Sequence, residues 1–384
     1  MDCGILFRGD RSISEFGVLK GRLWNRDGRL DMETKRRDLG KENMWVSFGL
    51  WVVLSVAAMA AMLRLSAHKT IVIPDTLQNQ AGLTASTAQE DLALELRQTE
   101  SGSGSFLIPL PANVRAEDVT MENRYMEKEL WIHIQSEDTQ FYGENTVSGD
   151  TSAILEGRYE IQPDGILLKL TMDRLQEYYS TMNDAILEVA GCRPGEMYPF
   201  IVVIDPVGGG SDNGLCSYVY REKELALQIA GLVQRNCTLS DVKLYLTRTE
   251  DVEVSAEERT ALIRDVDADF YIRIGAAENA AEENVYGIQC YYNDEYFIPE
   301  FGNVDLADIV TRAVTIAAGN RALGLIPAAE DSILREINIP AVQLSVGYLS
   351  NDQERNLLQQ EAYLEKVAEG ILNAIEESCR KLTD

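Results

Sequence analysis

The sequence predicts an α/β fold over residues 198–382: a mostly parallel sheet with helices on both faces, preceded by a small β-rich domain and one transmembrane helix. Three observations predict it. In the C-terminal half, short apolar runs alternate with segments of helical period, as strands separated by covering helices require. Residues 104–195 instead carry stretches of period two. A run of 20 residues without a charge, MWVSFGLWVVLSVAAMAAML at 44–63, is long enough to cross a ~30 Å hydrocarbon core as a helix.

Taken in order, residues 1–43 are expected to be cytoplasmic. Lys35, Arg36, Arg37 and Lys41 precede the apolar run while only Arg64 and Lys69 follow it closely, so residues 64–384 face outward. A cleaved signal peptide fits less well, because its apolar core is typically ~7–15 residues and Arg64 sits badly for cleavage. The run reads as a retained signal anchor in the cell membrane. Residues 1–31 show no clean periodicity, and Met32, just before Lys35, is a natural alternative start. Residues 64–103 form the expected linker, with a stretch from 76 rich in Gln, Thr, Ser, Ala and Gly.

The β-rich domain is expected over 104–195. Within ELWIHIQ at 129–135, Leu130, Ile132 and Ile134 alternate with Trp131, His133 and Gln135, which predicts a half-buried strand with His133 outward. Asp164-Gly165 is a hairpin signal. In the C-terminal block, strands are expected at 201–204, 242–246, 270–274, 286–292 and 341–346. Helices are expected at 222–233, 255–263, 306–317 and 363–378. Ser255 and Glu258 form a capping-box pattern at the start of the second helix.

The net charge of −27 is uneven, with +2 on residues 1–63 and −29 on the remainder. A body this acidic does not bind nucleic acid through its phosphates, which need a basic surface. The charge suits a freely solvated ectodomain repelled by anionic polymers; plain solubility is the simpler account. Cys3, Cys192, Cys216, Cys237, Cys290 and Cys379 show no close pairing, and five lie in the outward portion, so no disulfide framework is indicated. The Gly208-Gly-Gly run lacks the following Lys-Ser/Thr of a phosphate loop, and the next helix begins only near Glu222.

Several segments carry a family resemblance: IDPVGGGSDNG at 204–214, REKELAL at 221–227, VKLYLTRTED at 242–251, SAEERTAL at 255–262 and ADFYIRIGAA at 268–277. They continue with GIQCYYN at 287–293, NRALGLIPA at 320–328, SILREINIPAVQLSVGYLSN at 332–351 and AYLEKVAEGI at 362–371. Their order resembles the zinc-dependent N-acetylmuramoyl-L-alanine amidases, which cut glycan from peptide in bacterial cell wall. The resemblance implies an amidase-like fold and a peptidoglycan context. It also implies a zinc held by two histidines and a glutamate, with a second glutamate as catalyst.

In this chain the first histidine corresponds to Gly208, the ligand glutamate to Glu222, the second histidine to Gly275 and the catalytic glutamate to Ser345. Only Glu222 is retained. The chain's two histidines, His68 and His133, lie elsewhere, and Cys216 has no histidine to activate it. The expectation is a vestigial cleft of Asp205, Gly208, Glu222, Arg273, Gly275 and Ser345, with no metal or catalytic residue and no zinc cofactor. Arg273 stands where the family usually has serine. Two readings remain open for it: the guanidinium reaches toward Glu222 in place of zinc, or it extends into solvent.

The functional expectation is a membrane-anchored, catalytically degenerate amidase-like protein that binds peptidoglycan fragments or a cell-wall protein partner. The alternative is an active N-acetylmuramoyl-L-alanine amidase hydrolysing the glycan–peptide amide bond. A third reading makes the C-terminal block a spacer for the β-rich domain.

Overall fold

The computed structural model describes residues 91–99, 104–183, 185–217, 220–279, 281–282, 284–328 and 331–383. The segment 1–43, the apolar run 44–63, His68, Cys3 and the linker up to residue 90 lie outside the described residues. Among the described residues no helix is long and apolar enough to cross a membrane.

The β-rich domain is a sandwich of two five-stranded sheets. One contains β1 (Leu92–Ala93), β4 (Val119–Arg124), β5 (Glu129–Gln135), β7 (Ile154–Gln162) and β8 (Gly165–Met172), in the order β1-β7-β8-β5-β4. The other contains β2 (Leu96–Gln98), β3 (Ser105–Pro109), β6 (Val147–Gly149), β9 (Glu177–Asn183) and β10 (Ile186–Cys192), in the order β2-β6-β3-β10-β9. Leu130, Ile132 and Ile134 of β5 enter the shared core with Ile166, Leu168, Ile108 and Leu187. The hairpin at Asp164-Gly165 forms as expected, joining β7 to β8.

Two expectations need correction here. The sandwich begins at residue 92 rather than 104, because β1 pairs with β7 and β2 with β6. The last stretch of the supposed linker therefore belongs to the sheets. His133 is also buried, as is its neighbour Trp131. Long charged side chains carpet that outer face: the Arg124 guanidinium lies 3.8 Å and the Lys169 ammonium 5.3 Å from the Trp131 ring centroid. Their apolar stems remove the strand's second face from water although its residues alternate.

The C-terminal block contains a six-stranded sheet built from β11 (Phe200–Pro206), β14 (Val242–Leu246), β15 (Phe270–Ala277), β16 (Ile288–Tyr292), β17 (Ala322–Pro327) and β18 (Ala341–Tyr348). Its order is β14-β11-β15-β18-β16-β17. The sheet is mixed: β16 runs antiparallel to β18, while the other pairings are parallel. A two-residue ladder of β12 (Cys216–Ser217) and β13 (Tyr220–Arg221) leads into the first long helix.

Helices cover both faces. After the single turn α1 (Pro194–Met197), one face receives α2 (Glu222–Asn236), α4 (Asn303–Ala318) and α7 (Glu361–Thr383), which pack on Val202, Ile204, Ile272, Ile274, Val342 and Leu344. The opposite face receives α3 (Ala256–Val266) and α5 (Ser332–Glu336), packed on Ile201, Val203, Tyr245 and Tyr271. Alternate residues of each strand thus enter different cores, as a doubly covered sheet requires. The short α6 (Asp352–Leu357) follows β18.

The sandwich docks on the edge strand β14. The Tyr125 hydroxyl donates to Leu246 O and accepts from Leu246 N, both at 3.0 Å, while its ring meets Tyr245 edge-on at 5.0 Å. The Tyr245 hydroxyl donates to the Glu177 carboxylate, which also pairs with Lys243 at 2.9 Å. A tyrosine hydroxyl thereby satisfies backbone groups that an uncovered edge would expose. Tyr125→Phe keeps the ring but leaves a buried N–H and C=O without this partner. The expected loss is about 1–3 kcal/mol in urea unfolding; an unchanged midpoint would show that water replaces the hydroxyl.

Candidate functional site

The residues expected to form the cleft gather at the C-terminal ends of β11, β15 and β18, the end where open α/β sheets place their ligands. Asp205, near the end of β11, is fully buried. Its carboxylate accepts from the Thr247 and Tyr271 hydroxyls and from the Arg259 guanidinium. Arg259 also donates to Gly208 O at 2.8 Å. Arg248 donates to Pro206 O at 3.1 Å, and to Val207 O and Lys223 O at 2.8 Å. Two buried arginines therefore hold the successive carbonyls of the glycine loop. The Lys223 ammonium grips the far side, donating to Gly210 O at 2.7 Å and Asp251 Oδ2 at 2.8 Å.

Gly208 has φ +68°, in the left-handed region. A Cβ there would lie 2.8 Å from Asp212 O and 3.0 Å from Lys223 Cβ. The loop follows a path that disfavours any side chain at this position.

Glu222 opens α2 and is buried. Its Oε2 accepts from Leu215 N at 2.7 Å and its Oε1 from Ala276 N at 2.6 Å. The carboxylate thus braces the end of the glycine loop against β15. Burial pushes its pKa up, while the two N–H bonds and the more distant Arg273 charge pull the other way. A Cβ on Gly275 would lie 2.6 Å from Glu222 Oε1 and within 3.3 Å of both Val207 methyl carbons; a Cβ on Gly214 would lie 2.6 Å from Oε2. The space beside Gly275 is therefore filled by the Glu222 carboxylate and by Val207. Ser345 stands opposite Gly275 in the β15–β18 register, fully buried, with its hydroxyl 3.4 Å from Gly347 O.

Arg273 does neither of the two things expected of it. It forms no ion pair with Glu222, whose oxygens are taken by backbone N–H groups. Nor does it extend into solvent, since its side chain is only 18% exposed. It lies along the sheet, with Nε 3.4 Å from Asp205 Oδ2 and Nη1 3.6 Å from Asp331 Oδ2 and 3.1 Å from Gln343 Oε1. Asp205 is its register partner across β11 and β15, which decides the pairing. Cys216 is exposed in the β12–β13 ladder and His133 belongs to the sandwich. Among the described residues no three His, Cys, Asp or Glu side chains are grouped to hold a metal ion.

Arg248, Arg259 and Glu354 escaped the sequence reading. The buried Glu354 carboxylate accepts from Gly287 N at 3.0 Å, Tyr348 N at 2.6 Å and Asn320 Nδ2 at 2.8 Å, so it ties the ends of β18 and β16 together. The available signal was Asn351-x-x-Glu354, a helix-start pattern, and Asn351 does cap α6.

Residues 202–377 match the family model described as N-acetylmuramoyl-L-alanine amidase. The chain is similar to the N-acetylmuramoyl-L-alanine amidase CwlM of Bacillus licheniformis, with 29% identity over 179 residues, 45% of this chain and 66% of that protein. It is also similar to the Probable cell wall amidase LytH of Staphylococcus aureus, with 26% identity over 178 residues, 45% of this chain and 56% of that protein. Among solved structures, the N-acetylmuramoyl-L-alanine amidase from Clostridium difficile 630 aligns at a TM-score of 0.44 and 28% identity, covering 46% of this chain and 95% of that one. The chain thus spans under two thirds of the length of either curated relative.

Proposed function

We propose that this is a membrane-anchored cell-wall protein whose amidase-like domain binds peptidoglycan fragments or a wall-enzyme partner without hydrolysing them. The observation that carries this reading is the engagement of both Glu222 oxygens by Leu215 N and Ala276 N. A catalytic zinc needs three protein ligands and an open position for water. Here Gly208 and Gly275 supply no donor, the one remaining carboxylate is committed to the backbone, and Ser345 supplies no acid–base group. The residues present do not fit zinc, so no hydrolytic step is derived through it. The family match at 202–377 supports the wall context, and the charge-free run at 44–63 supports the anchor.

The active-amidase reading draws on the family match and on the retained Glu222. Metal analysis of the purified full chain, with digestion of purified peptidoglycan, separates the two. The expected outcome is substoichiometric zinc and no free stem peptide. One zinc per chain together with released stem peptide would establish the active enzyme instead.

A further inference from the structure

The loop between β16 and α4 carries large apolar side chains outward. Phe297 is 84% exposed, Tyr296 47%, and Val304, in the first turn of α4, 48%. A lone exposed apolar side chain is ordinary, whereas an adjoining group with a polar rim marks a surface that another molecule covers. The backbone brings these three together. Tyr296 O accepts from Asn303 Nδ2 at 3.4 Å, and Ile298 O lies 3.0 Å from where a Cβ on Gly302 would stand, so the loop folds back over the start of α4.

The loop is held from within. The buried Asn293 side chain donates to Leu334 O at 3.4 Å and accepts from Glu295 N at 3.0 Å. The buried Asn303 side chain donates to Asn293 O and accepts from Ala341 N, both at 2.9 Å. Phe301 enters the core, and its N–H donates to Pro299 O at 2.8 Å across Glu300, whose φ of +68° is left-handed. Phe297 is therefore displayed by a braced loop, which lowers the entropy lost when a partner covers it. Register places this loop away from the cleft. β16 runs antiparallel to β18 with Tyr292 opposite Val342, so the loop leaves the sheet at the end where β18 begins, while Ser345 lies toward the other end.

The charge around the loop says what fits it. From Gly275 to Thr311 the chain has no Lys or Arg. Asp294, Glu295 and Glu300 are exposed and enter no ion pair among the described residues. Arg335, beside the Leu334 that Asn293 holds, is followed by Glu336. Such a rim repels an anionic lipid surface and a second copy of this acidic chain, and it steers a basic protein surface inward. We propose that Tyr296, Phe297 and Val304 form the docking surface for an extracytoplasmic protein whose apolar pocket is edged by Lys and Arg. Phe297 fills the pocket, and Asp294, Glu295 and Glu300 face its basic edge. This deepens the partner-binding half of the reading above and rests on it, but not on the absence of hydrolysis.

The test places the photo-crosslinker p-benzoylphenylalanine at Phe297 of the full chain and irradiates intact cells of the native host. The same replacement at Ile316, 72% exposed in the last turn of α4, is the control. Mass spectrometry identifies the joined molecule and the residues linked. The identified protein is then purified and titrated against the full chain in detergent. The expected result is one protein joined at 297 and not at 316, through an apolar pocket edged by Lys or Arg. Its affinity should fall with added salt. Phe297→Ser should weaken it by about tenfold or more, as truncating a central aromatic does. Glu295→Lys should weaken it by about threefold and flatten the salt dependence. Both side chains are exposed, so the urea midpoint should not move. The link site and the salt dependence of the parent chain decide the surface even if a variant folds poorly. Links from 297 to phospholipid or to a second copy of this chain overturn the docking surface, as does full affinity in Phe297→Ser. Absence of a link at 297 overturns it too, while a protein joined at 316 alone still supports partner binding. Free stem peptide released from peptidoglycan would end the non-hydrolytic reading and alter none of these results.

Discussion

Gly275→His is expected to destabilise the protein by roughly 2–6 kcal/mol, although histidine is the residue that the sequence resemblance implies at this position. The estimate comes from two buried N–H donors, Leu215 N and Ala276 N, each losing its acceptor at about 1–3 kcal/mol when the imidazole displaces the Glu222 carboxylate. Overpacking against Val207 adds to it. Urea unfolding measures the effect. In a Glu222→Ala background the N–H partners are already lost and the space is vacated, so Gly275→His should cost less. The difference defines a coupling of about 0.5–3 kcal/mol between directly touching residues. Full stability of the single variant would mean that the carboxylate swings aside freely, and that the site is not closed by it.

Arg259→Leu should cost about 3–5 kcal/mol, the usual penalty for removing one partner of a buried ion pair. Asp205 would keep the Thr247 and Tyr271 hydroxyls but lose the guanidinium that donates directly to it, and Gly208 O would lose its donor. At about 2–4 °C per kcal/mol for a domain of this size, the unfolding midpoint should drop by roughly 6–20 °C. Asp205→Asn combined with Arg259→Leu should cost less than the sum of the two single changes, since each removes the other's reason for burial. A drop under about 3 °C would show that Arg273 alone neutralises Asp205.

The two substitutions probe different layers of the same end of the sheet, and the sequence disclosed them unequally. The strand at 242–246 and the capping box of Ser255 and Glu258 were readable, because strand run and cap chemistry are local properties. Strand β17 was not: it is a half-exposed edge strand carrying Gly324 at φ +111°, so it lacks both a continuous buried run and clean alternation. The burial of His133 and Trp131 was equally hidden, because Arg124 and Lys169 reach that face from other strands and Asp164 from the β7–β8 turn. The Arg273–Glu222 contact, one of the two readings open for this residue, failed for a similar reason. Periodicity puts Arg273 and Gly275 on one side of β15 but does not say which carboxylate lies in register.

The sequence by itself determined that Gly208, Gly275 and Ser345 carry no metal-binding or acid–base side chain, because a missing functional group needs no coordinates. It also determined the order of the four long helices and of every strand but β17 in the six-stranded sheet, through hydrophobic period. Only the tertiary structure decided what surrounds these positions. Glu222 turned from a candidate ligand into a brace because two backbone N–H groups, one seven residues away and one fifty-four, converge on it. Arg273 was bound into a cross-strand row because β-sheet register sets residues distant in the chain side by side. Such convergence is a property of packing, and no local stretch of sequence encodes it.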